Sequence, residues 1–263
     1  MNFNIQPINF NIANVRFKSN SNISQPKGSD LERNPKMDSF EMSIGYVNDA
    51  HGQTNNMMRI LSGIKGDLKL SAGDNDIGDE KNDAIHQATT KFLNIADIKA
   101  SALGNHEIDM SQKDCIDAIN RFNGLMLSIN FEQIPLEEQD PEDIQKYGRA
   151  DLKNHLTKSA VVEVKGEKIG LIGASPIDMM SRLTHPNYYT DCSVDDLDDT
   201  IELIQNEIDK FKEQNINKVI LVSHLGHKAD KFVAENIDGI DVIVGGHTHE
   251  LIKDIKEGEN LLY

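Results

Sequence analysis

Five short apolar stretches of this sequence each run into a small cluster of aspartate, asparagine or histidine side chains. The clusters are Asp49 with His51, Asp74, Asn105 with His106, His224, and His247 with His249. The first three are each followed by a helical pattern, so the order strand, polar cluster, helix repeats along the chain. In βαβ units the carboxyl ends of the strands share one edge of the sheet. The sequence therefore predicts that the five clusters meet in one place.

The apolar periodicity predicts strands of two kinds. Strands that lead into helices or polar clusters are expected over residues 43–48, 68–72, 98–103, 125–130, 218–222 and 242–244. The last of these, Val242 to Val244, is apolar without alternation, which is typical of a strand buried on both faces. Val161–Val164 and Lys168–Ile172 flank a short turn and predict an antiparallel hairpin. The hairpin indicates a second sheet.

Helices are predicted over residues 57–64, 80–96, 111–122 and 193–213. The acidic, turn-rich residues 131–157 are interpreted as an excursion over the surface. A short helix is also predicted between His227 and the strand at 242–244. Four aspartates mark the start of the helix over residues 193–213: Asp195, Asp196, Asp198 and Asp199. We interpret them as stabilising the helix through its dipole, in preference to forming a calcium site.

Residues 1–40 differ in composition from the rest of the chain. They are rich in Asn, Ser, Gln and Pro, with isolated apolar residues and no clear period. This composition and the lack of a period predict a mostly disordered leader, with the folded domain over residues 41–263. The alternative is a short docking segment that uses Phe3, Phe10 and Phe17.

Composition excludes several classes of protein. The net charge of -16 over 263 residues argues against a nucleic-acid surface, which needs clustered Lys and Arg. Only Cys115 and Cys192 are present, so neither a disulfide framework nor a cysteine metal site is expected. No apolar run is long enough to predict a transmembrane helix, and no membrane partner is expected. The start of the chain lacks the pattern of a signal peptide, which makes the cytoplasm the default location.

The five clusters supply carboxylate, carboxamide and imidazole groups without a thiolate. Such mixed oxygen and nitrogen ligands suit Mn, Fe, Zn or Co better than a soft metal. Their number is enough for two metals that share one carboxylate. Two adjacent cations can activate a bridging water and hold a transferring phosphoryl group. The chemistry that the residues favour is hydrolysis of a phosphoester.

These residues resemble the motifs of the calcineurin-like metallophosphoesterases, and more closely the catalytic domain of the 5'-nucleotidase and UDP-sugar hydrolase group. The matching motifs are Asn48-Asp49-Ala-His51-Gly52, Gly73-Asp74-Asn75, Gly104-Asn105-His106-Glu107-Ile-Asp109, Ser223-His224-Leu225-Gly226 and Gly246-His247-Thr-His249. The resemblance implies an α/β (α+β) fold: a four-layer αββα sandwich of two mixed sheets flanked by helices.

The resemblance also implies a role for each site residue. One metal would be held by Asp49, His51 and His249, and the other by Asn105, His224 and His247. Asp74 would bridge the two. His106 would face the substrate phosphate, and Asp109 would orient and charge its ring. The metals implied are two divalent ions among Mn, Zn, Fe, Co, Mg and Ca. Three further histidines are expected to lie outside the site: His86, His155 and His185. His227 is interpreted as an ordinary residue at the start of a helix, with contact to the metal ligands as the alternative.

The implied activity is 5'-nucleotidase-like: a hydroxide that bridges two metals attacks the phosphorus of a nucleotide or nucleotide sugar. In this group, closing strands and a separate substrate-binding domain follow the last histidines, and both are expected to be missing here. A phosphodiesterase or a general phosphomonoesterase is therefore an alternative, as is a non-catalytic metal-binding or docking module. Members of the group are often exported, which keeps a periplasmic or extracellular location open. The oligomeric state is left open.

Overall fold

A computed structural model of the chain describes residues 10–18, 39–54, 56–57, 63–77, 83–250 and 261–262. In this part the strands are β1 (Phe10–Lys18), β2 (Ser39–Val47), β3 (Leu68–Ser71), β4 (Ala100–Ala102), β5 (Leu125–Leu127), β6 (Phe131–Gln133), β7 (Ser159–Val164), β8 (Glu167–Ala174), β9 (Cys192–Val194), β10 (Val219–Ser223), β11 (Val242–Val244) and β12 (Leu261–Leu262). The α-helices are α1 (Asp83–Ala96), α2 (Gln112–Arg121), α3 (Pro141–Tyr147), α4 (Met179–Arg182), α5 (Leu197–Glu213) and α6 (His227–Asn236).

The strands form two five-stranded mixed sheets and one small ribbon. The first sheet has the order β1-β2-β3-β4-β5, and the second has the order β12-β11-β10-β8-β7. Pairing is parallel except between β1 and β2 and between β7 and β8. The predicted hairpin is therefore confirmed, and it supplies the antiparallel edge of the second sheet. The ribbon joins β6 to β9.

Alternation along the strands separates the layers of the molecule. On β10, Ile220 and Val222 pack between the two sheets, whereas Val219 and Leu221 pack against α5 and α6. Because successive side chains of a strand point to opposite faces, one strand serves two cores. The first sheet likewise has an outer core that includes Leu93 of α1. The two sheets thus pack face to face with helices outside, as in the expected four-layer sandwich.

The prediction of a disordered leader is wrong for residues 10–18. They form β1, which pairs with β2 along its whole length. Val15 and Phe17 are buried between the sheets, with Ala13 packed beside them. These three residues have the period of a strand, but the surrounding Asn and Ser residues obscure it. The other residues of 1–40, except the start of β2, lie outside the described part, so the boundary at residue 40 stays a prediction.

Residues 131–157, which were expected to form an excursion over the surface, contain regular structure and are partly buried. Leu152 is fully buried, and the segment contains β6 and α3. The buried carboxylate of Asp191 accepts hydrogen bonds from Gln112, Gln133 and Gln139 at 2.8 to 3.0 Å. These contacts link the segment to α2, which local sequence cannot reveal.

One helix begins later than predicted, and one strand was not predicted. The helix expected from residue 193 begins at Leu197, because Cys192–Val194 pairs with β6. Asp196 caps this helix by accepting a hydrogen bond from the Asp199 amide at 3.0 Å, which agrees with the interpretation of its aspartates as helix-stabilising. The strand β12, which was not predicted, pairs with β11. Most of the helix expected over residues 57–64 lies outside the described part.

Within the described ranges, every helix falls short of the length and apolar character that a bilayer-spanning helix requires.

Candidate metal centre

The structure brings the strand-end clusters together at the carboxyl ends of strands from both sheets. β2 and β3 deliver Asp49, His51 and Asp74, while β10 and β11 deliver the histidines from the other side. Ligand atoms lie within 4.8 Å of one another in three overlapping groups: Asp49 with His51 and His249, His51 with Asp74 and His106, and Asp74 with His224 and His247. Because Asp74 belongs to two of these groups, it lies between the two halves of the site.

Backbone hydrogen bonds join the loops that follow β2 and β3. The Asp49 amide donates to the Gly73 carbonyl at 3.0 Å, and the His51 amide donates to the Asp74 carbonyl at 2.9 Å. Gly73 has a φ of +97°, and a Cβ there would lie 2.9 Å from Nδ1 of His224. Glycine at position 73 therefore lets the loop after β3 approach the ring of His224 this closely.

Left-handed backbone conformations concentrate at the site. Asp49, His51, Asp74, His247 and His249 all have φ between +44° and +80°. This region costs a residue with a side chain about 1 to 2 kcal/mol. Such strain gathers where the surrounding structure fixes groups for function. The backbone therefore marks the same residues that the sequence motifs select.

His224 is fully buried; one ring nitrogen is hydrogen-bonded, and the other lies close to a carboxylate. Nδ1 donates to the Ala72 carbonyl at 2.6 Å, and Nε2 lies 3.0 Å from a carboxylate oxygen of Asp74. The carbonyl fixes the ring so that Nε2 faces the centre. Burial alone would lower the pKa of His224, but the Asp74 carboxylate opposes it and raises the pKa to about 10. Asp74 is therefore the main opposite charge beside the His224 ring.

The other half contains two histidines with their nitrogens close together. Nε2 of His51 lies 2.9 Å from Nε2 of His249, which lies 3.3 Å from a carboxylate oxygen of Asp49. Burial lowers the pKa of His51 to about 4. Burial raises the pKa of Asp49, but His249 and His224 outweigh it and hold that pKa below its ordinary value. A neutral imidazole beside a carboxylate is a suitable pair of ligands for a divalent cation.

Asn105 gives an independent sign that the site fits a cation. It is buried at the end of β4, and its Oδ1 has no hydrogen-bond partner among the described residues. A buried carbonyl oxygen without a partner costs about 1 to 3 kcal/mol. A bound cation would remove this cost, and carboxamide oxygen is a ligand suited to the same metals as imidazole and carboxylate.

His106 lies at the rim of the centre with one ring nitrogen engaged. Nδ1 is 2.6 Å from Oδ2 of the fully buried Asp109, whose other oxygen accepts from the Thr184 amide at 2.6 Å. The ring packs edge-on against that of His51, with centroids 4.8 Å apart. Burial lowers the pKa of His106, but Asp109 and Asp74 outweigh it and raise the pKa above its ordinary value. The predicted pairing of His106 with Asp109 is confirmed as a contact.

Glu107 is a site residue to which the sequence analysis gave no role. Its buried carboxylate accepts from the amides of Asp74 at 3.0 Å, Asn75 at 2.6 Å and Gly104 at 2.8 Å. Burial and the nearby charge of Asp74 raise the pKa of Glu107 to about 7. Its position inside the motif from Gly104 to Asp109 was the available signal.

Asp178 was also missed. It follows the carboxyl end of β8, so the strand-end rule that found the other clusters could have found it. Its Oδ1 lies 3.1 Å from Nε2 of His247, and its Oδ2 accepts from Nε of Arg182 at 2.7 Å. The segment between β8 and β9 therefore contacts a predicted metal ligand.

The remaining histidines lie outside the three ligand groups, as expected. His86 is buried beside Asp76, with 2.5 Å between Nδ1 and Oδ1, and His155 bonds to Asn120 on the surface. His185 packs on the Tyr188 ring, and His227 begins α6.

Known proteins with related sequences include nucleotide-hydrolysing enzymes by name. The chain is 32% identical over 248 residues to an apyrase from Anopheles gambiae, covering 82% of this chain and 40% of the apyrase. It is 27% identical over 241 residues to a probable 5'-nucleotidase from Treponema pallidum, covering 82% of this chain and 38% of that protein. The chain thus spans well under half the length of these curated relatives.

Solved structures and a family model point the same way. A 5'-nucleotidase precursor from Thermus thermophilus superposes with a TM-score of 0.63 at 25% identity, covering 81% of this chain and 42% of that one. Residues 42–251, which contain all five strand-end clusters, match the model of the calcineurin-like phosphoesterases. The chain therefore belongs to the calcineurin-like phosphoesterase family.

Proposed function

We propose that this chain hydrolyses phosphate esters with two divalent cations, and that its substrate is a nucleotide or nucleotide sugar. The observation that carries the proposal is the convergence of two aspartates and five histidines on one centre, with the unpartnered oxygen of Asn105 after the adjacent strand β4. The names of the relatives support a nucleotide as substrate.

The overlapping ligand groups support a division into two cation sites. In the first, the ligands would be Asp49, His51 and His249. In the second, they would be Asn105, His224 and His247. Asp74 would serve both, which agrees with its place in groups on either side of the centre. This donor set suits Mn, Zn, Fe or Co, and it leaves Mg and Ca to be tested.

Bound cations would supply positive charge to the phosphate oxygens and lower the pKa of a water molecule. The protein contributes the orientation of the substrate and a proton donor. With Nδ1 of His106 bonded to Asp109, the other ring nitrogen is left to donate to a phosphate oxygen or to the leaving alcohol. The raised pKa of His106 favours the protonated ring that this role requires.

The proposal is tested with metal-stripped protein that is supplied in turn with Mn, Zn, Co, Mg and Ca. Phosphate release is measured from AMP and UDP-glucose, with bis-p-nitrophenyl phosphate as a diester. We expect metal-dependent release from the nucleotides. Release from the diester alone would favour the phosphodiesterase alternative, and tight binding of two metals without any hydrolysis would favour the non-catalytic one.

Asp74→Asn gives the sharpest test of the two-cation arrangement. We expect it to lose at least about 100-fold in kcat and to bind less metal, because one shared carboxylate charge is removed. His155→Asn is the matched control, since His155 is an exposed histidine outside the centre. An Asp74→Asn protein with wild-type activity and metal content would exclude this mechanism.

A further inference from the structure

The ring of His247 is held from outside the metal centre by Asp178. The two residues are 69 positions apart, and Oδ1 of Asp178 lies 3.1 Å from Nε2 of His247. Arg182 holds the other carboxylate oxygen at 2.7 Å. Asp178 is therefore fixed from both sides, between the exposed guanidinium group of Arg182 and the ring of a proposed metal ligand.

This contact decides which nitrogen of His247 can bind a cation. A carboxylate accepts hydrogen bonds and cannot donate them, so Nε2 of His247 must carry the hydrogen. In a neutral imidazole, only the nitrogen without hydrogen has a lone pair that is free of the aromatic π system, and here that nitrogen is Nδ1. His247 therefore has Nδ1 available for a cation while Nε2 stays bonded to Asp178.

The backbone of His247 is fixed separately from its ring. Its amide donates to a carboxylate oxygen of Asp49 at 3.0 Å, and its φ is +80°. These restraints place Cα, but they leave rotation about the side-chain bonds open. The ring stands 4.9 Å from that of His224, between centroids. Asp178 supplies the hydrogen bond that selects the ring orientation.

We propose that Asp178 is a positioning residue that holds Nε2–H of His247, so that Nδ1 faces the cation site formed with Asp74 and His224. The inference rests on the proposed function, because it assumes that His247 is a ligand. Hydrogen bonds of this kind to ligating histidines change metal affinity by about 10- to 100-fold. Asp178 acts through His247 and is not itself assigned to the cation.

Variants of Asp178 test this role through two readouts that do not depend on turnover. The first is the tautomer of His247 in metal-free protein, from ¹H–¹⁵N NMR of the imidazole rings, with His247→Gln used to assign the signal. The second is titration with Mn²⁺ alone, followed by calorimetry. Asp209→Ala is the matched control, because Asp209 also bonds to a basic side chain one helical turn away but lies on the exposed face of α5.

We expect Asp178→Ala to lose the uniform Nε2–H tautomer and to weaken one Mn²⁺ site by about 10- to 100-fold, leaving the other site near its wild-type affinity. Asp178→Asn should keep the tautomer and recover part of the affinity, because its amide oxygen still accepts a hydrogen bond. Asp209→Ala should change neither readout.

Two results would overturn the inference in different ways. If Asp178→Ala keeps the wild-type tautomer and binds Mn²⁺ like the wild type, the role of Asp178 is excluded while the proposed function stands. If the wild-type protein itself binds no Mn²⁺ or other divalent cation, the proposed function fails and this role fails with it. Should Asp178→Ala not fold, the same two readouts on Asp178→Ser decide, with the results expected for Asp178→Ala, since serine also removes the carboxylate.

Discussion

Glu107 lies where two ligand-bearing loops meet, and it serves both through its carboxylate. Asp74 and Gly104 donate to one oxygen, and Asn75 donates to the other through its amide and its side chain. All of these donors are N–H groups, so they are all satisfied only when both side-chain oxygens of Glu107 act as acceptors. Glu107 thereby fixes the loop that carries Asp74 relative to the loop that carries Asn105.

Replacing Glu107 by Gln keeps the size of the side chain, but it should destabilise the protein. At pH 8, where the carboxylate is ionised, the new NH₂ group would face N–H donors, and we expect the free energy of unfolding to fall by about 1 to 3 kcal/mol. Urea denaturation measures this change. Glu163→Gln on exposed β7 is the control, expected within about 0.5 kcal/mol of the wild type. Equal stability of the two variants would contradict the role given to Glu107.

The second sheet carries an ionisable group at the end of its strands opposite the metal centre. Asp241 precedes β11, and its carboxylate accepts from the Val219 amide at 2.8 Å. Burial outweighs this hydrogen bond and the charge of Lys218, and it raises the pKa of Asp241 from 3.8 to about 6. The folded protein therefore holds the proton more tightly than the unfolded chain does.

This shift gives the stability a defined dependence on pH. Below about pH 3 the group is protonated in both states, and as the pH rises from about 3 to 6 the folded state loses stability, until the full cost is present above about pH 7. We expect Asp241→Asn to raise the free energy of unfolding at pH 8 by up to about 3 kcal/mol, with the gain vanishing toward about pH 3. Urea denaturation across this range, with exposed Asp238→Asn as control, checks the sign. A gain that grew on acidification would refute it.

The proposed centre connects the two sheets of the sandwich. Asp49 and Asp74 follow strands of the first sheet, whereas His224 and His247 follow strands of the second. The cation sites that these residues would form exist only in the folded state, because the unfolded chain does not hold these loops together. Binding therefore adds directly to the stability of the whole molecule.

We expect metal-stripped protein to melt at a lower temperature than metal-loaded protein. Mn²⁺ at about 100 times its dissociation constant should add about 2.7 kcal/mol per site, which is on the order of 5 to 10 °C in Tm. Calorimetry with and without the metal measures the difference. Asp74→Asn should lose most of the gain, and an increase of the same size in that variant would show that the metal acts elsewhere.

Local pattern determined much of this protein. Buried strands such as Val219–Ser223 and Val242–Val244 follow from runs of apolar residues, because burial on two faces requires apolar side chains at every position. The strand-end clusters follow from the βαβ order, since parallel strands place their carboxyl ends at one edge. Fold class and the proposed ligands were therefore accessible from the sequence.

Tertiary structure alone decided the contacts that join distant segments. The pairing of Phe10–Lys18 with Ser39–Val47 depends on a partner strand, the carboxylate of Glu107 depends on two neighbouring loops, and Asp178 reaches His247 from another strand end. Secondary-structure propensity reflects only the local sequence. The contacts of these residues depend on which loops the packed sheets bring within hydrogen-bonding distance. The proposed ligands could thus be identified from local sequence, whereas the residues that hold them in place are determined by the packing of the two sheets.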